Sequence, residues 1–140
     1  MLRRLILNNR SFKLTEFVRK NSNFVKINDE GIQRRITMCN DKTRNSLGLE
    51  MIRSLQSAVD TIDFEKCRVL VLSSNHEKIF SAGHNLKELT TENGNELHKQ
   101  VFNEFTELCL NLKRLQIPVI AEVKGKFKKF KFILKKKDQI

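Results

Sequence analysis

The sequence has no apolar run longer than the four residues Val69–Leu72, whereas a membrane-spanning helix needs about 18 or more. That excludes a helical bilayer span within these residues. Cysteine is scarce: Cys39, Cys67 and Cys109 are odd in number and widely spaced, which fits neither a disulfide framework nor a zinc site. They read as reduced, mostly buried small hydrophobes, and no metal site is expected. Proline is scarcer still, and the only one, Pro118, marks the end of a helical stretch. Positive charge is lacking where a nucleic-acid binder would need it. The chain carries +11 overall, but residues 1–26 hold +6 of it and residues 124–140 hold +7, leaving residues 27–123 at −2. The central part has no excess of cations to neutralise phosphates, so no nucleic-acid partner is expected.

What is present is enough for one domain. A hydrophobic share of 39% beside 31% charged residues over 140 positions is the profile of a soluble globular chain. Residues 1–23 mix Arg3, Arg4, Arg10 and Arg19 with Leu and Phe against the single acid Glu16. This is the bias of a mitochondrial transit peptide, and it predicts a matrix location. From Phe24 the pattern becomes that of a fold. Phe24–Ile27, polar Asn28–Gly31 and Ile32–Cys39 read as a hairpin, with Ile32, Ile36 and Met38 on one face and Arg34 interrupting it. A polar loop over 40–45 leads into a helix that Asn45 or Ser46 can cap. In that helix Leu47, Met51, Leu55, Ala58, Val59 and Ile62 form the inward stripe, and Gly48 weakens the first turn.

Cys67–Ser74 is short, β-branched and almost wholly apolar, as in a parallel strand covered on both faces. A loop over 80–85 precedes a longer helix carrying Leu97, Val101, Phe105, Leu108, Leu112 and Leu115. Beyond Pro118, Val119–Val123 is a strand, which completes a parallel βαβ crossover. The tail 126–140 is almost entirely Lys, Phe, Ile and Leu. It is unlike the rest, and its basic amphipathic composition also suits an anionic membrane surface. His76 and His98 have no Cys or carboxylate partner at ligand spacing and read as solvated.

Three blocks then stand out in order. They are Arg44-Asn45-Ser46-Leu47; Val69–Ser74 followed by Phe80-Ser81-Ala82-Gly83-His84-Asn85-Leu86-Lys87-Glu88-Leu89; and Pro118-Val119-Ile120-Ala121-Glu122-Val123-Lys124-Gly125. Together they resemble the crotonase (enoyl-CoA hydratase/isomerase) superfamily over residues 24–125. The resemblance implies an α/β protein with the crotonase-like (ClpP/crotonase) fold of repeated ββα units, of which this chain holds the N-terminal half. It implies an acyl-CoA thioester as substrate or ligand, with no other cofactor, and a role in mitochondrial fatty acid metabolism. In that family two backbone N–H groups hold the oxygen of an enolate-like anion, and fixed donors of this kind contribute about 3 to 4 kcal/mol each.

By the same resemblance the first donor is the backbone N–H of His84, with Gly83 supplying a close turn. The CoA-binding stretch is Ala82, His84, Asn85, Leu86 and Lys87. In it the Ala82 carbonyl receives the adenine amino group, and Lys87 lies near the phosphates. Asn85 stands where the family pattern has Asp. The His84 imidazole could act as an acid or base near neutrality, but the family role falls on its backbone.

The second donor and the paired glutamates that activate water come, in hydratases, from a Gly-Gly-rich turn and helix after the strand ending at Gly125. Here Lys126-Phe127-Lys128-Lys129 follows instead. The resemblance therefore leads to an acyl-CoA-binding chain without hydratase activity of its own. The alternatives are a regulatory or interaction protein that keeps the fold, and a basic membrane or nucleic-acid binder acting through the tail. Relatives of full length assemble as trimers or hexamers, an assembly not expected of this chain. Val119–Val123 is expected to stand as an uncovered edge, with marginal stability as the consequence.

Gly125-Lys126 is also what a splice-donor-like GGTAAR stretch encodes, and Lys, Phe and Ile are what A/T-rich noncoding DNA encodes. Sequencing the transcript across codon 125 is expected to find an intron boundary there. An uninterrupted coding exon with no crotonase half downstream overturns this expectation.

Overall fold

The computed structural model describes residues 24–124 and the backbone of residues 130–135. The expected transit segment 1–23 and the rest of the tail lie outside the described residues. The elements are β1 (Val25–Glu30), β2 (Gln33–Met38), α1 (Leu49–Asp60), β3 (Val69–Ser74), α2 (Gly94–Arg114), β4 (Val119–Val123) and β5 (Phe130–Lys135). They form one sheet in the order β1-β2-β3-β4-β5. The central strands β2, β3 and β4 run parallel, and β1 and β5 add antiparallel at the edges. Each parallel step is bridged by a helix, so the expected βαβ crossover is present and a second one precedes it.

The hairpin turn is shorter than the polar stretch suggests. Glu30 pairs with Gln33, which leaves only Gly31 and Ile32 in the turn, with Gly31 at φ +57°. A positive φ at the first central residue alone is the demand of a type II′ turn, and glycine meets it without a steric cost. Ile32 therefore sits at the tip, 62% exposed, and not on the inward face.

That face is made by Arg34, Ile36 and Met38 at period two. Ile36, Leu70 and Val119, one from each parallel strand, are fully buried against Met51, Ile52, Leu55 and Ala58 of α1 and Val101 and Leu108 of α2. In α1 the buried stripe gains Ile52, and Leu47 falls before the helix, only half buried. Gly48 is the residue preceding the first turn, so it does not weaken it. Arg53 of α1 holds Glu104 of α2 through two hydrogen bonds of 2.8 and 2.7 Å, and its guanidinium keeps the Glu104 carboxyl below the usual carboxylate range. Of the cysteines, Cys67 is buried, Cys39 half buried and Cys109 exposed, and none of the three is in a disulfide.

Arg34 does not interrupt the inward face; it belongs to it. Its guanidinium closes the C-terminal end of α1, donating from Nη1 to the Ala58 carbonyl at 3.3 Å and to Thr61 Oγ1 at 3.1 Å. Nε and Nη2 both donate to the Asp29 carboxylate at 2.7 Å. A cation at a helix C-terminus faces carbonyls that lack partners, and the carboxylate neutralises what burial would otherwise penalise. On the opposite sheet face Arg35 pairs with Glu122, and the hydroxyls of Thr37 and Ser73 bond at 2.9 Å.

The expectation of an uncovered edge at β4 does not hold. Residues 130–135 pair along β4, with a register irregularity between Val119 and Ile120. The alternation Phe130-Lys131-Phe132 is a strand pattern, and an open ladder of backbone donors and acceptors is what such a strand satisfies.

Replacing Arg34 with Met is expected to lower stability by about 1 to 3 kcal/mol in urea unfolding, because Thr61 Oγ1 and the Ala58 carbonyl, which keeps the Thr61 hydroxyl, each lose a donor. The Arg34 hydrogen bonds hold the Asp29 pKa below its ordinary value. Stability from this pair is therefore complete above the unfolded aspartate pKa, about 3.9, and is lost as pH falls through the lower folded value. Asp29→Asn should flatten this acid limb of the unfolding curve.

Candidate functional site

After the one-turn 3-10 helix Asp41–Thr43, both Arg44 and Asn45 take left-handed backbone conformations, φ 52° and 54°. Asn is the side-chain-bearing residue that best tolerates this region. The turn drives Asn45 inward until nothing of it is exposed. Its backbone N–H donates to the Asn40 carbonyl at 2.8 Å, and its Oδ1 accepts the Asn40 N–H at 2.7 Å. Nδ2 donates to Ser74 Oγ, at the end of β3, at 2.8 Å and to the Phe80 carbonyl at 3.4 Å. Its carbonyl accepts the Ser81 hydroxyl at 2.7 Å. Asn45 is thus no helix cap. It is the buried junction between the loop before α1, the end of the central strand and the loop over 80–85.

Below that junction the two loops run side by side. The Ala82 N–H donates to the Arg44 carbonyl at 3.0 Å, the Leu47 N–H to the Gly83 carbonyl at 2.7 Å, and the Asn85 N–H to the Leu47 carbonyl at 3.4 Å. This is a single parallel bridge between Leu47 and His84. In such a bridge the residue flanked by both bonds turns its own N–H and C=O the other way. The His84 N–H therefore points away from residues 44–47, and among the described residues it has no acceptor. Gly83 precedes it at φ +83°, a conformation that a side chain disfavours.

The His84 ring packs edge-on against two aromatics of α2, Phe102 at 5.2 Å and Phe105 at 4.8 Å between centroids. Its Nδ1 lies 3.4 Å from the Leu47 carbonyl. The imidazole is a packing group seated on α2. Ala82 and Lys87 are exposed, and Leu86 is 77% exposed, so the stretch named from the sequence forms one accessible rim. Asn85 is half buried, donating to Glu88 Oε1 at 2.9 Å and accepting the Lys87 N–H at 3.3 Å.

Sequence reasoning did not single out Glu88. Its other oxygen accepts the Leu49 N–H, the first of α1, at 2.9 Å. The two partners lie 39 positions apart in the chain, and no local periodicity links them. His76 and His98 are half buried and hydrogen-bonded, not free in solvent. His98 Nε2 lies 2.9 Å from the Thr90 carbonyl, and His76 Nδ1 accepts the Lys78 N–H at 3.2 Å. Among the described residues no cluster of His, Cys, Asp and Glu could hold a metal ion, and no helix is long and apolar enough to cross a membrane.

This geometry can be set beside known proteins. Residues 29–128 match the family described as enoyl-CoA hydratase/isomerase. The chain is similar to enoyl-CoA hydratase domain-containing protein 3, mitochondrial, of Xenopus laevis, with 45% identity over 93 residues, covering 66% of this chain and 31% of that protein. The human protein of the same name is 39% identical over 93 residues, covering 66% of this chain and 30% of its own length. The crystal structure of that human protein superposes with a TM-score of 0.69 at 34% identity, covering 74% of this chain and 41% of that chain. The fold is the crotonase fold in part, and the chain spans about a third of the length of the curated relatives it matches.

Replacing Asn45 with Ala should cost about 3 kcal/mol or more in denaturant unfolding. It strands buried partners at about 1 to 3 kcal/mol each and leaves a poorly tolerated left-handed conformation. Ser74→Ala also removes the hydroxyl's bonds to the Ile79 carbonyl and the His76 N–H, but it leaves the Asn45 amide bonded to Asn40 and Phe80 and strains no left-handed residue, so it should cost less.

Proposed function

The chain belongs to the enoyl-CoA hydratase/isomerase family, and on that premise we propose that it binds acyl-CoA thioesters, with the His84 backbone N–H as the donor to the thioester oxygen. The observation that carries this reading is the stitching of residues 82–85 to 44–47, which leaves the His84 N–H without an acceptor among the described residues. A fixed, unpaired amide at an accessible rim is prepared for an oxygen that gains negative charge. The Ala82 carbonyl receives the adenine amino group, Lys87 faces the CoA phosphates, and Asn85 and Leu86 complete the binding stretch.

Among the described residues one such donor stands with no free acid or base beside it, an arrangement that holds a thioester but does not move the proton that hydration requires. Glu88 lies beside the loop, but both its oxygens accept hydrogen bonds from the protein, from Leu49 and Asn85. The reading is therefore binding without turnover by this chain. The names of the relatives support a mitochondrial setting, as does the basic, Arg-rich stretch 1–23. The matrix and fatty acid metabolism follow as parts of the same proposal.

Calorimetric titration with crotonyl-CoA, run beside a hydration assay, tests it. Saturable binding with no protein-dependent turnover is expected, and absence of binding overturns the reading. His84→Ala keeps the backbone N–H, so its affinity should remain within about threefold of the original. A loss beyond tenfold, roughly 1.4 kcal/mol, would assign the contact to the imidazole.

A further inference from the structure

The loop that carries His84 is joined to the rest of the molecule by more than backbone pairing. Glu88 reaches from the far side of the loop to the start of α1, and its two oxygens do different things. Oε2 accepts the Leu49 N–H at 2.9 Å, one of the orphan donors of the first helical turn. Oε1 accepts Asn85 Nδ2 at 2.9 Å. The carboxylate also lies at the positive end of the helix, where an anion is favoured. The space for it exists because residue 48 is glycine: a Cβ there would overlap Oε1 and Cδ of the Glu88 carboxylate and crowd Oε2. Gly48 has φ −90° and ψ 174°, which any residue adopts, so its conformation does not require glycine. What requires it is the room that the carboxylate occupies.

Asn85 is bound at its other end as well. Its Oδ1 accepts the Lys87 N–H at 3.3 Å, and its backbone N–H donates to Leu47. The amide is therefore oriented, with its donor end on Glu88. A carboxylate at position 85 would set two anionic groups against each other at this distance.

We propose that Glu88 is a positioning residue: its carboxylate clasps the His84 loop, through Asn85, to the first turn of α1, and so fixes the direction in which the His84 N–H is presented. Gly48 leaves the clasp its space, and Asn85 supplies the matching donor. The proposal rests on the thioester-binding reading only for what the aimed N–H meets. The clasp itself is a property of the unliganded chain.

The test is hydrogen exchange on the full, unliganded chain at the amides of Leu47, Leu49 and Asn85. Glu88→Ala should speed exchange at these sites about tenfold, the loss expected of a charge-assisted hydrogen bond. Gly48→Ala should do the same alone and add nothing in the Glu88→Ala background, since the two act on one contact. Asn85→Asp and Glu88→Gln should each loosen the loop. The double variant N85D/E88Q reverses the polarity of the contact. The side-chain amide introduced at position 88 donates to the carboxylate introduced at position 85 and still accepts from Leu49, so exchange should return to within about threefold of the original. Unchanged exchange in Glu88→Ala, or a double variant as loose as its singles, overturns the clasp.

A second readout concerns direction. The carbonyl stretch of 13C-labelled crotonyl-CoA should fall in frequency on binding the original chain, fall less at saturation in Glu88→Ala, and recover in N85D/E88Q. A full shift in Glu88→Ala overturns the positioning role even if exchange has loosened. If the original chain binds no thioester, the acyl-CoA reading fails together with the ligand half of this proposal, and the exchange data still decide the clasp.

Discussion

The arrangement of the site depends on burying one side-chain amide. Asn45 is wholly enclosed, and it satisfies its polar atoms by tying together Asn40, Ser74, Phe80 and Ser81. An enclosed amide without partners is costly, so the surrounding backbones are constrained to meet it. The left-handed turn at 44–45, the end of β3 and the loop over 80–85 share one junction as a result. With the loops fixed at their start, the parallel bridge from Leu47 to His84 follows, and so does the outward direction of the His84 N–H. His84 does not set this geometry; it receives it, and its ring against Phe102 and Phe105 locks the loop onto α2.

Helix α1 is held at both ends by charged groups from elsewhere in the chain. At its C-terminus Arg34 meets the Ala58 carbonyl, and at its N-terminus the Glu88 carboxylate meets the Leu49 N–H. Each sign matches the partial charge of the helix end it faces. A 12-residue helix has little stability alone. These two contacts, with the buried stripe between them, set its position along the sheet. The large apolar groups Met51, Ile52 and Leu55 supply adhesion without direction, and the ionic contacts at the ends supply the direction. The far end of α1 borders a separate groove of about 570 Å³ lined by Val59, Phe64, Arg68 and Arg114 among others, which contains none of the site residues.

Much of the fold was legible because periodicity survives folding. The stripe Met51, Leu55, Ala58, Val59 is buried as its spacing requires, as are Leu70 and Val71 at the centre of the run Val69–Leu72, and α2 ends before Pro118 because proline cannot continue a helix. Arg34 was legible as a position and misread in its meaning. It looks like a break in the pattern only when charge is taken to mean solvent, and its partners Asp29, Ala58 and Thr61 come from two other parts of the chain. Asn45 was misread for a related reason: a short polar residue before an apolar stretch reads as a cap, whereas its left-handed φ and its buried contacts arise from a turn that no local rule specifies. The tail pattern Phe130-Lys131-Phe132 has the period of a strand, but its seat on β4 depends on an edge formed much earlier in the chain.

By itself the sequence determined the order of elements from β1 to β4, most of the inward stripe of α1 and, through three ordered blocks, the family. These are local in origin, since propensity and periodicity act over a few residues. The tertiary structure alone decided that blocks 44–47 and 82–85 lie hydrogen-bonded side by side, that Asn45 joins them, that Arg34 and Glu88 close opposite ends of α1, and that Gly48 is small to make room for the distant Glu88 carboxylate. Hydrogen bonds between distant segments leave no period in the chain. Only the packing of the sheet against its helices brings their donors and acceptors within reach.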